Sequence, residues 1–316
     1  MQGLYDYGDG IYAVDVLYER ERLNAVHLVL ERGRAAIVDT GTAHGVPRIL
    51  AALTELGVRP GNVDFVVLTH VHLDHAGGAG QLMVRCPNAT LSVHPRGARH
   101  VIDPARLLAA TVRIYGEEAA RRIYGEVLSV PAARVLETPE GARISLAGRE
   151  FDFFDTPGHA RHHVIVRDAS GGHVFAGDTF GLSYRELDLD GRQFAFPTTS
   201  PSQFDPPALH RSIERILALG PEAIYVTHFG RVREVARLAG DLHRLIDAHV
   251  ALAERHRDAG VQRNALLRKG IAELVRAESR RQGWTLADED LMRVFAIDVD
   301  LNAQGLEAWL GSAFPL

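Results

Sequence analysis

The chain has 316 residues, enough for one large domain or for a domain with a helical extension. Hydrophobic residues make up 46% and charged residues 24%, which is typical of a globular protein. Its net charge of -5 argues against a basic track for nucleic acid, so we expect no nucleic-acid partner.

The single cysteine, Cys86, excludes an intrachain disulfide and is typical of a reducing compartment. No stretch approaches the ~20 uninterrupted apolar residues of a membrane span. The first residues lack the basic start and apolar run of a signal peptide. The sequence therefore predicts a cytoplasmic protein that does not contact a membrane.

In chain order, short apolar runs alternate with amphipathic helices up to about residue 230. Apolar positions three and four apart predict a helix at 46–56, and Gly57 stands where helices commonly end. Helical patterns recur at about 103–130 and at 207–219. Short runs bounded by glycine or charged residues are typical of strands. The predicted strands are 11–16, 25–30, 35–38, 65–68, 90–93, 143–145, 151–154, 164–166, 174–176 and 223–226.

The pattern becomes entirely helical after residue 230. Apolar residues three and four apart form a seam over 235–252, Gly260 interrupts it, and helices follow at about 265–280 and from Gly283. The sequence therefore predicts a catalytic domain over 1–230 and a helical extension over 231–316. The extension is equally consistent with homodimerisation through its seam and with covering its own catalytic domain.

Sixteen histidines is a high number for this length, and several of them are clustered. Residues 69–75 read Thr-His-Val-His-Leu-Asp-His, directly after a predicted buried strand. Residues two apart in an extended segment point the same way, so His70 and His72 can hold one ion together. If the chain then turns into a helix, Asp74 and His75 face a neighbouring point. The motif thus predicts ligands for two nearby metal ions.

Three further candidate ligands each follow an apolar strand: His159, Asp178 and His228. A sheet holds the backbone at a strand end, which suits a metal ligand. Each residue also has a plainer reading. His159 could be a turn histidine, Asp178 a turn aspartate, and His228 a buried, hydrogen-bonded histidine. Their position in the series favours ligation for all three.

The order of these residues resembles the metallo-β-lactamase superfamily over about residues 10–230. The resemblance rests on Asp39 at a strand end, the His-x-His-x-Asp-His string at 70–75, and then a His, an Asp and a final His. It implies an α/β fold, the four-layer αβ/βα sandwich. The implied ligands are His70, His72 and His159 for one ion, Asp74, His75 and His228 for the other, and Asp178 bridging both. Asp39 would then steady the histidine loop; capping a helix N-terminus is an alternative role, and the two are compatible.

The resemblance also implies two divalent ions that make hydroxide available near neutral pH for attack on a carbonyl or phosphoryl centre. The nitrogen and oxygen ligands suit zinc, although iron or manganese would fit. Asp74 and Asp178 are the carboxylates expected in catalysis, and Tyr184 is a candidate donor to an oxyanion. The candidate substrate-pocket residues are Tyr184, Arg185, Phe196 and Thr198. Anchoring the loop is an equally good interpretation of the aromatic residues.

The Thr-Pro-Gly-His run at 156–159 and the Gly-Asp-Thr run at 177–179 resemble the branch of hydroxyacylglutathione hydrolases, lactonases and related thioesterases. The predicted substrate is therefore a small ester, thioester or lactone, although the tail offers no clear basic pair for glutathione. Three alternatives remain: a phosphodiesterase of the same fold, a sulfur dioxygenase with one iron, and a partner-binding signalling protein with incidental turnover. The scarcity of basic residues near the motifs argues against the first, and the full second ligand set against the dioxygenase.

Overall fold

The computed structural model describes residues 1–199 and 203–312. The chain divides into two compact units, each made of several segments. The sheet unit comprises Met1–Asp155, His162–Gly177 and Pro221–Arg231. The helix unit comprises Thr156–Arg161, Asp178–Gly220 and Val232–Leu316. The domain boundary predicted after residue 230 stays a prediction.

A seven-stranded sheet forms the first layer of the sheet unit, with its strands in chain order. They are β1 Leu4–Asp6, β2 Ile11–Asp15, β3 Ala25–Glu31, β4 Arg34–Val38, β5 Val63–Val67, β6 Thr90–Val93 and β7 Val135–Glu137. Strands β1 to β4 pair antiparallel, and β4 to β7 pair parallel. Parallel neighbours bring the carboxyl ends of β4 and β5 to one edge.

A six-stranded sheet follows, in the order β13-β12-β11-β10-β9-β8. Its strands are β8 Arg143–Leu146, β9 Arg149–Asp155, β10 Val164–Asp168, β11 His173–Gly177, β12 Ala223–Val226 and β13 Gly230–Val232. Strands β8 to β11 form an antiparallel meander, and β12 joins β11 in parallel. The carboxyl ends of β11 and β12 therefore share an edge.

Side chains of the first sheet alternate between two apolar cores. In β4, Ala35 and Ile37 pack in the core on the helix side of the sheet. Ala36 and Val38 point the other way, into a core that also contains Phe153 of β9 and other residues of the second sheet. Since both faces of the sheet are covered at β4, that strand is apolar from Ala35 to Val38.

Six helices of the sheet unit are described, and the sequence pattern predicts some but not all of them. Their bounds are α1 Val46–Glu55, α2 Leu73–Ala76, α3 Ala79–Arg85, α4 Pro95–Ile102, α5 Ala105–Tyr115 and α6 Glu117–Tyr124. Gly57 follows α1 with a φ of 72°, as a helix-ending glycine does. The helical region predicted at about 103–130 is two helices divided at Gly116, and it ends at Tyr124.

The helix unit contains the C-terminal helices that the sequence predicts. Its helices are α7 Pro206–Ala218, α8 Val235–Arg255, α9 Arg263–Gln282, α10 Asp288–Val294 and α11 Ala296–Ser312. The seam residues Leu238, Leu242 and Leu245 of α8 are buried, and homodimerisation through this seam stays a prediction. Among the described residues, none of the helices has both the length and the apolar character that crossing a membrane requires. The predicted α/β class and helical C-terminal region are confirmed.

Candidate metal centre

Three strand ends meet at one edge of the sheet unit and present polar side chains there. Asp39 directly follows β4, and its backbone N–H donates to the carbonyl of Val67, the last residue of β5. The His-x-His-x-Asp-His string begins three residues after Val67, and α2 starts directly after His72. The expected turn from extended chain to helix is therefore present. His228 lies two residues past the end of β12.

The Asp39 carboxylate joins these strand ends. Its oxygens accept hydrogen bonds from the backbone N–H of Thr69 at 2.9 Å and from the hydroxyls of Thr69 at 3.0 Å and Thr227 at 2.9 Å. The same carboxylate lies 2.9 Å from Nδ1 of His75. Asp39 adopts a left-handed φ of 59°, which costs about 1 kcal/mol for a residue with a side chain. These contacts offset that cost and are the ones expected of a residue that steadies the histidine loop.

Two histidines direct their outer ring nitrogens at the carboxylate of Asp74. Nδ1 of His75 faces Asp39, and Nδ1 of His228 lies 2.8 Å from the carbonyl oxygen of Leu23. Since both acceptors require a proton on Nδ1, each Nε2 keeps its lone pair. Both Nε2 atoms lie 3.4 Å from Oδ2 of Asp74. The side chains of His75, His228 and Asp74 thus direct two nitrogen lone pairs and one carboxylate oxygen at the same point.

The pKa of Asp74 depends on the protonation of the two rings. Burial raises this pKa, whereas His75 and His228 in their protonated forms lower it well below its ordinary value. Its backbone carbonyl accepts a 2.8 Å hydrogen bond from Nδ2 of Asn24. Sequence reasoning missed both Asn24 and the carbonyl of Leu23, because a contact made to or by the backbone leaves no side-chain pattern.

His70 and His72 form a second cluster of nitrogen donors in the sheet unit. Nε2 of His70 lies 2.9 Å from Nδ1 of His72, and Nδ1 of His70 lies 3.1 Å from the Thr69 hydroxyl. The ring of His163 stacks on that of His70, with centroids 4.9 Å apart. Gly177 packs behind them, where a Cβ atom would lie 2.7 Å from Nε2 of His163. A larger residue at 177 would therefore displace the histidine cluster.

The helix unit supplies a separate pair, His159 and Asp178. Nε2 of His159 lies 3.4 Å from Oδ2 of Asp178. On the other side of the imidazole, Nδ1 lies 3.1 Å from the hydroxyl of Thr198 and 3.3 Å from its carbonyl oxygen. Thr198, which the sequence analysis assigns to the substrate pocket, thus contacts the inner nitrogen of this ring. Its pocket role stays a prediction.

The turn that carries His159 requires glycine at the preceding position. Gly158 has a φ of 135°, and a Cβ atom there would lie 2.4 Å from Cα of Leu209 in α7. The Ser212 hydroxyl of the same helix donates to the carbonyl of Pro157 at 2.6 Å. Close packing against α7 therefore fixes the turn, and the glycine makes that approach sterically possible.

The other predicted pocket residues are held within the helix unit. The Tyr184 hydroxyl donates to the carboxylate of Asp298 at 2.9 Å, so it would have to leave this partner to serve an oxyanion. Arg185 contacts the Ser183 carbonyl and lies 3.3 Å from Asp188. Phe196 is fully buried against Phe295. Their roles toward a substrate remain predictions.

The donor atoms fit a divalent metal. The carboxylate of Asp74 and the ring nitrogens of His75 and His228 lie within 4.8 Å of one another, each offering one ligand atom. Two neutral imidazole nitrogens and an ionised oxygen suit zinc, and they also suit iron or manganese. The hydrogen bonds that fix both tautomers are the outer contacts that metal-binding histidines commonly have.

Comparison with known proteins agrees with this geometry. A family model described as the metallo-β-lactamase superfamily matches residues 20–228. A hydroxyacylglutathione hydrolase of Xanthomonas axonopodis pv. citri (strain 306) is 30% identical over 239 residues, which is 75% of this chain and 71% of that protein. One from Stenotrophomonas maltophilia (strain R551-3) is 32% identical over 154 residues, 48% of this chain and 44% of that protein.

Two solved structures align with nearly the whole chain. A metallo-β-lactamase family protein of Thermus thermophilus has a TM-score of 0.67 at 21% identity and covers 98% of this chain and 95% of its own. An archaeal superfamily protein of Sulfolobus tokodaii has a TM-score of 0.62 at 18% identity, over 95% and 99%. At such identities the likeness concerns the fold alone. This chain belongs to the metallo-β-lactamase superfamily and is a hydrolase of that fold, related to the hydroxyacylglutathione hydrolases.

Proposed function

We propose that this protein is a dinuclear metal-dependent hydrolase of small thioesters. The observation that carries the proposal is the convergence of His75 and His228 on Asp74. A hydrogen bond at Nδ1 fixes the tautomer of each imidazole. The thioester preference over esters and lactones rests on the relatives, whose name describes hydrolysis of acylated glutathione. The cytoplasmic location stays a prediction.

The proposed ligand sets are those that the resemblance implies. His70, His72 and His159 would hold one ion, Asp74, His75 and His228 the other, and Asp178 both. Zinc is the proposed metal, since the ligands are nitrogen and oxygen atoms. Two such ions would supply a Lewis acid and a hydroxide near neutral pH. The donor pairs described within each unit support this assignment.

The protein's own contribution is to fix orientation and charge. Asp39 contacts the His75 ring and the Thr69 backbone, which fixes the geometry of the motif. Asp74 and Asp178 would offset part of the positive charge of two ions. The buried positions of His70 and His75 limit access of bulk water to these ligands.

Substrate preference is tested by turnover of a panel by the purified, metal-loaded chain. The panel contains S-acylglutathione, acyl-coenzyme A, an aryl ester, a lactone and a phosphodiester. We expect the highest kcat/KM for one of the thioesters. We expect Asp74→Ala to lower this kcat/KM by at least ~100-fold. Loss of an outer contact costs up to ~100-fold, and loss of a direct ligand should cost no less. His243→Ala, which alters a histidine of α8 in the helix unit, is the control and should retain activity.

The other outcomes reassign the protein. Fastest turnover of the phosphodiester would make it a phosphodiesterase, and the thioester proposal would be wrong. One bound iron with oxygen uptake would indicate a sulfur dioxygenase. Turnover that is very slow on every substrate and equal in Asp74→Ala would favour the partner-binding alternative.

A further inference from the structure

The C-terminal helix α11 contacts the segment that lies behind His159. We propose that Asn302, on this helix, is a positioning residue that orients the imidazole of His159 through Thr198. This inference rests on the proposed function, because it takes His159 to be a metal ligand. It assigns to α11 a part in the metal centre that the sequence analysis does not foresee.

Asn302 forms hydrogen bonds with the backbone on both sides of Thr198. Its Nδ2 donates to the carbonyl of Pro197 at 3.0 Å, and its Oδ1 accepts from the backbone N–H of Thr199 at 2.8 Å. Its own backbone carbonyl accepts from the Thr199 hydroxyl at 3.1 Å. The two side-chain bonds therefore fix the peptide units that flank Thr198, and the third bond holds the side chain of Thr199.

Thr198 in turn contacts both proposed ligands of the helix unit. Its hydroxyl and its carbonyl lie 3.1 and 3.3 Å from Nδ1 of His159. The same hydroxyl lies 3.3 Å from the backbone carbonyl of Asp178. A proton on Nδ1 directed at Thr198 leaves the lone pair on Nε2, the atom that faces the Asp178 carboxylate. The position of Thr198 thus sets both the tautomer and the direction of the His159 ring.

The composition of α11 argues that the contact is specific. Asn302 is 2% exposed and stands among apolar core positions of the helix, beside Ala303 and one turn from Leu306. Asparagine disfavours a helix interior, and a buried amide is costly unless its hydrogen bonds are made. Here both ends of the amide are used, and both bonds go to the segment behind His159. Helix packing alone would be served better by leucine.

The test measures Zn²⁺ affinity by chelator competition on the full chain, together with urea unfolding of the metal-free protein. We expect Asn302→Leu to weaken one of two bound Zn²⁺ ions by ~10-fold or more, within the range for outer contacts of metal ligands. The other ion should bind as in the wild type. Gln304→Leu is the matched control, since it removes an amide from the same helix whose Nε2 donates to Asp300. It should leave both affinities unchanged.

A second variant separates positioning from folding. Thr198→Val keeps the side-chain shape and removes the hydroxyl near Nδ1 of His159, so it should weaken the same ion. The double variant combines Asn302→Leu with Thr198→Val. If Asn302 acts through Thr198, its fold-loss of Zn²⁺ affinity should be smaller than the product of the two single fold-losses. Should Asn302→Leu fail to fold, Thr199→Val takes its place, because it removes one of the bonds to Asn302; it should weaken the same ion, by less.

The outcomes distinguish this inference from the proposed function. Asn302→Leu could bind two Zn²⁺ ions with wild-type affinity and unfold at a lower urea concentration. Asn302 would then be purely structural, which would overturn this inference and leave the proposed function standing. Fully multiplicative losses in the double variant would overturn the route through Thr198. A wild-type chain that takes up no Zn²⁺ would overturn the proposed function and this inference with it.

Discussion

Asp39 shows how one buried carboxylate can organise residues that are distant in sequence. It contacts Thr69 and His75, which follow β5, and Thr227, which follows β12. Its negative charge also favours the proton on Nδ1 of His75. The residue therefore contributes both geometry and charge, and a substitution can separate the two.

Asp39→Asn keeps the side-chain shape and tolerates the left-handed backbone, but it removes the charge that faces His75. We expect metal affinity and kcat/KM to fall by ~10- to 100-fold. Asp168→Asn is the control, since Asp168 is equally buried and pairs with Arg149. That control should lower stability without weakening metal binding. Equal metal affinities in Asp39→Asn and the wild type would contradict the role of Asp39.

His249 contributes a pH dependence that is separate from the metal centre. It is fully buried against Phe196, and burial lowers its pKa to about 4 despite the bond from Nδ1 to the Leu245 carbonyl. The folded pKa lies below the unfolded value of about 6.5, so the folded state stays neutral where the unfolded state takes up a proton. Stability is therefore lost as the pH falls from about 6.5 to about 4.

The corresponding prediction concerns His249→Leu. Between pH 7 and pH 5 the wild type should lose about 2 kcal/mol more free energy of unfolding than the variant does. The measurement is urea unfolding at both pH values with a chelator present, so that metal release does not contribute. Burial also lowers the pKa of His27 to about 4. His27 is present in both proteins, so its contribution to the pH dependence cancels in the comparison. An identical pH dependence in the two proteins would show that His249 is not held neutral.

At the scale of elements, the turn between β9 and β10 depends on its packing against α7. Gly158 combines a positive φ with a backbone atom of Leu209 so close that a Cβ atom would lie 2.4 Å from it. Gly148 also has a positive φ, of 96°, but the nearest atom to its Cβ position is Nη1 of Arg32 at 3.7 Å. A side chain would therefore be conformationally strained at both positions, but only at 158 would it also lack space.

We expect Gly158→Ala to lower the free energy of unfolding by about 3 kcal/mol and to weaken metal binding, because the turn that carries His159 must move. Gly148→Ala should cost about 1 kcal/mol and leave metal binding unchanged. Urea unfolding and chelator competition on both variants make the comparison. Equal costs in the two variants would mean that the close approach of α7 does not matter.

Local elements were largely predictable because their signals lie within a few residues. The helix at 46–56 is α1, Val46–Glu55, and the strands at 90–93 and 223–226 are β6 and β12 with the same bounds. Periodicity and flanking glycines determine such segments. The helix expected at about 265–280 is longer, Arg263–Gln282, because its polar end residues leave no apolar period to mark where it starts and stops.

For the whole molecule, the sequence indicates which side chains belong to the candidate site, but it does not reveal their partners. The string at 70–75 is recognisable because its members are neighbours in the chain, and β-strand ends point to His228. The partners come from far away: Asn302 lies 103 residues from Thr199, and Asp298 lies 114 residues from Tyr184. Such contacts depend on how the segments of a unit pack, which a single sequence does not encode in any local pattern.

The proposed chemistry requires that the chain hold two metal ions, one of them on Asp74, His75 and His228. Elemental analysis of the purified wild type and of His228→Ala measures this. We expect two equivalents of a divalent metal, with zinc as the proposed ion, in the wild type. We expect about one equivalent in the variant, because the second set would keep only two of its own ligands. A wild-type chain that retains no metal and takes none up on reconstitution would show that the protein is not a dinuclear metal enzyme.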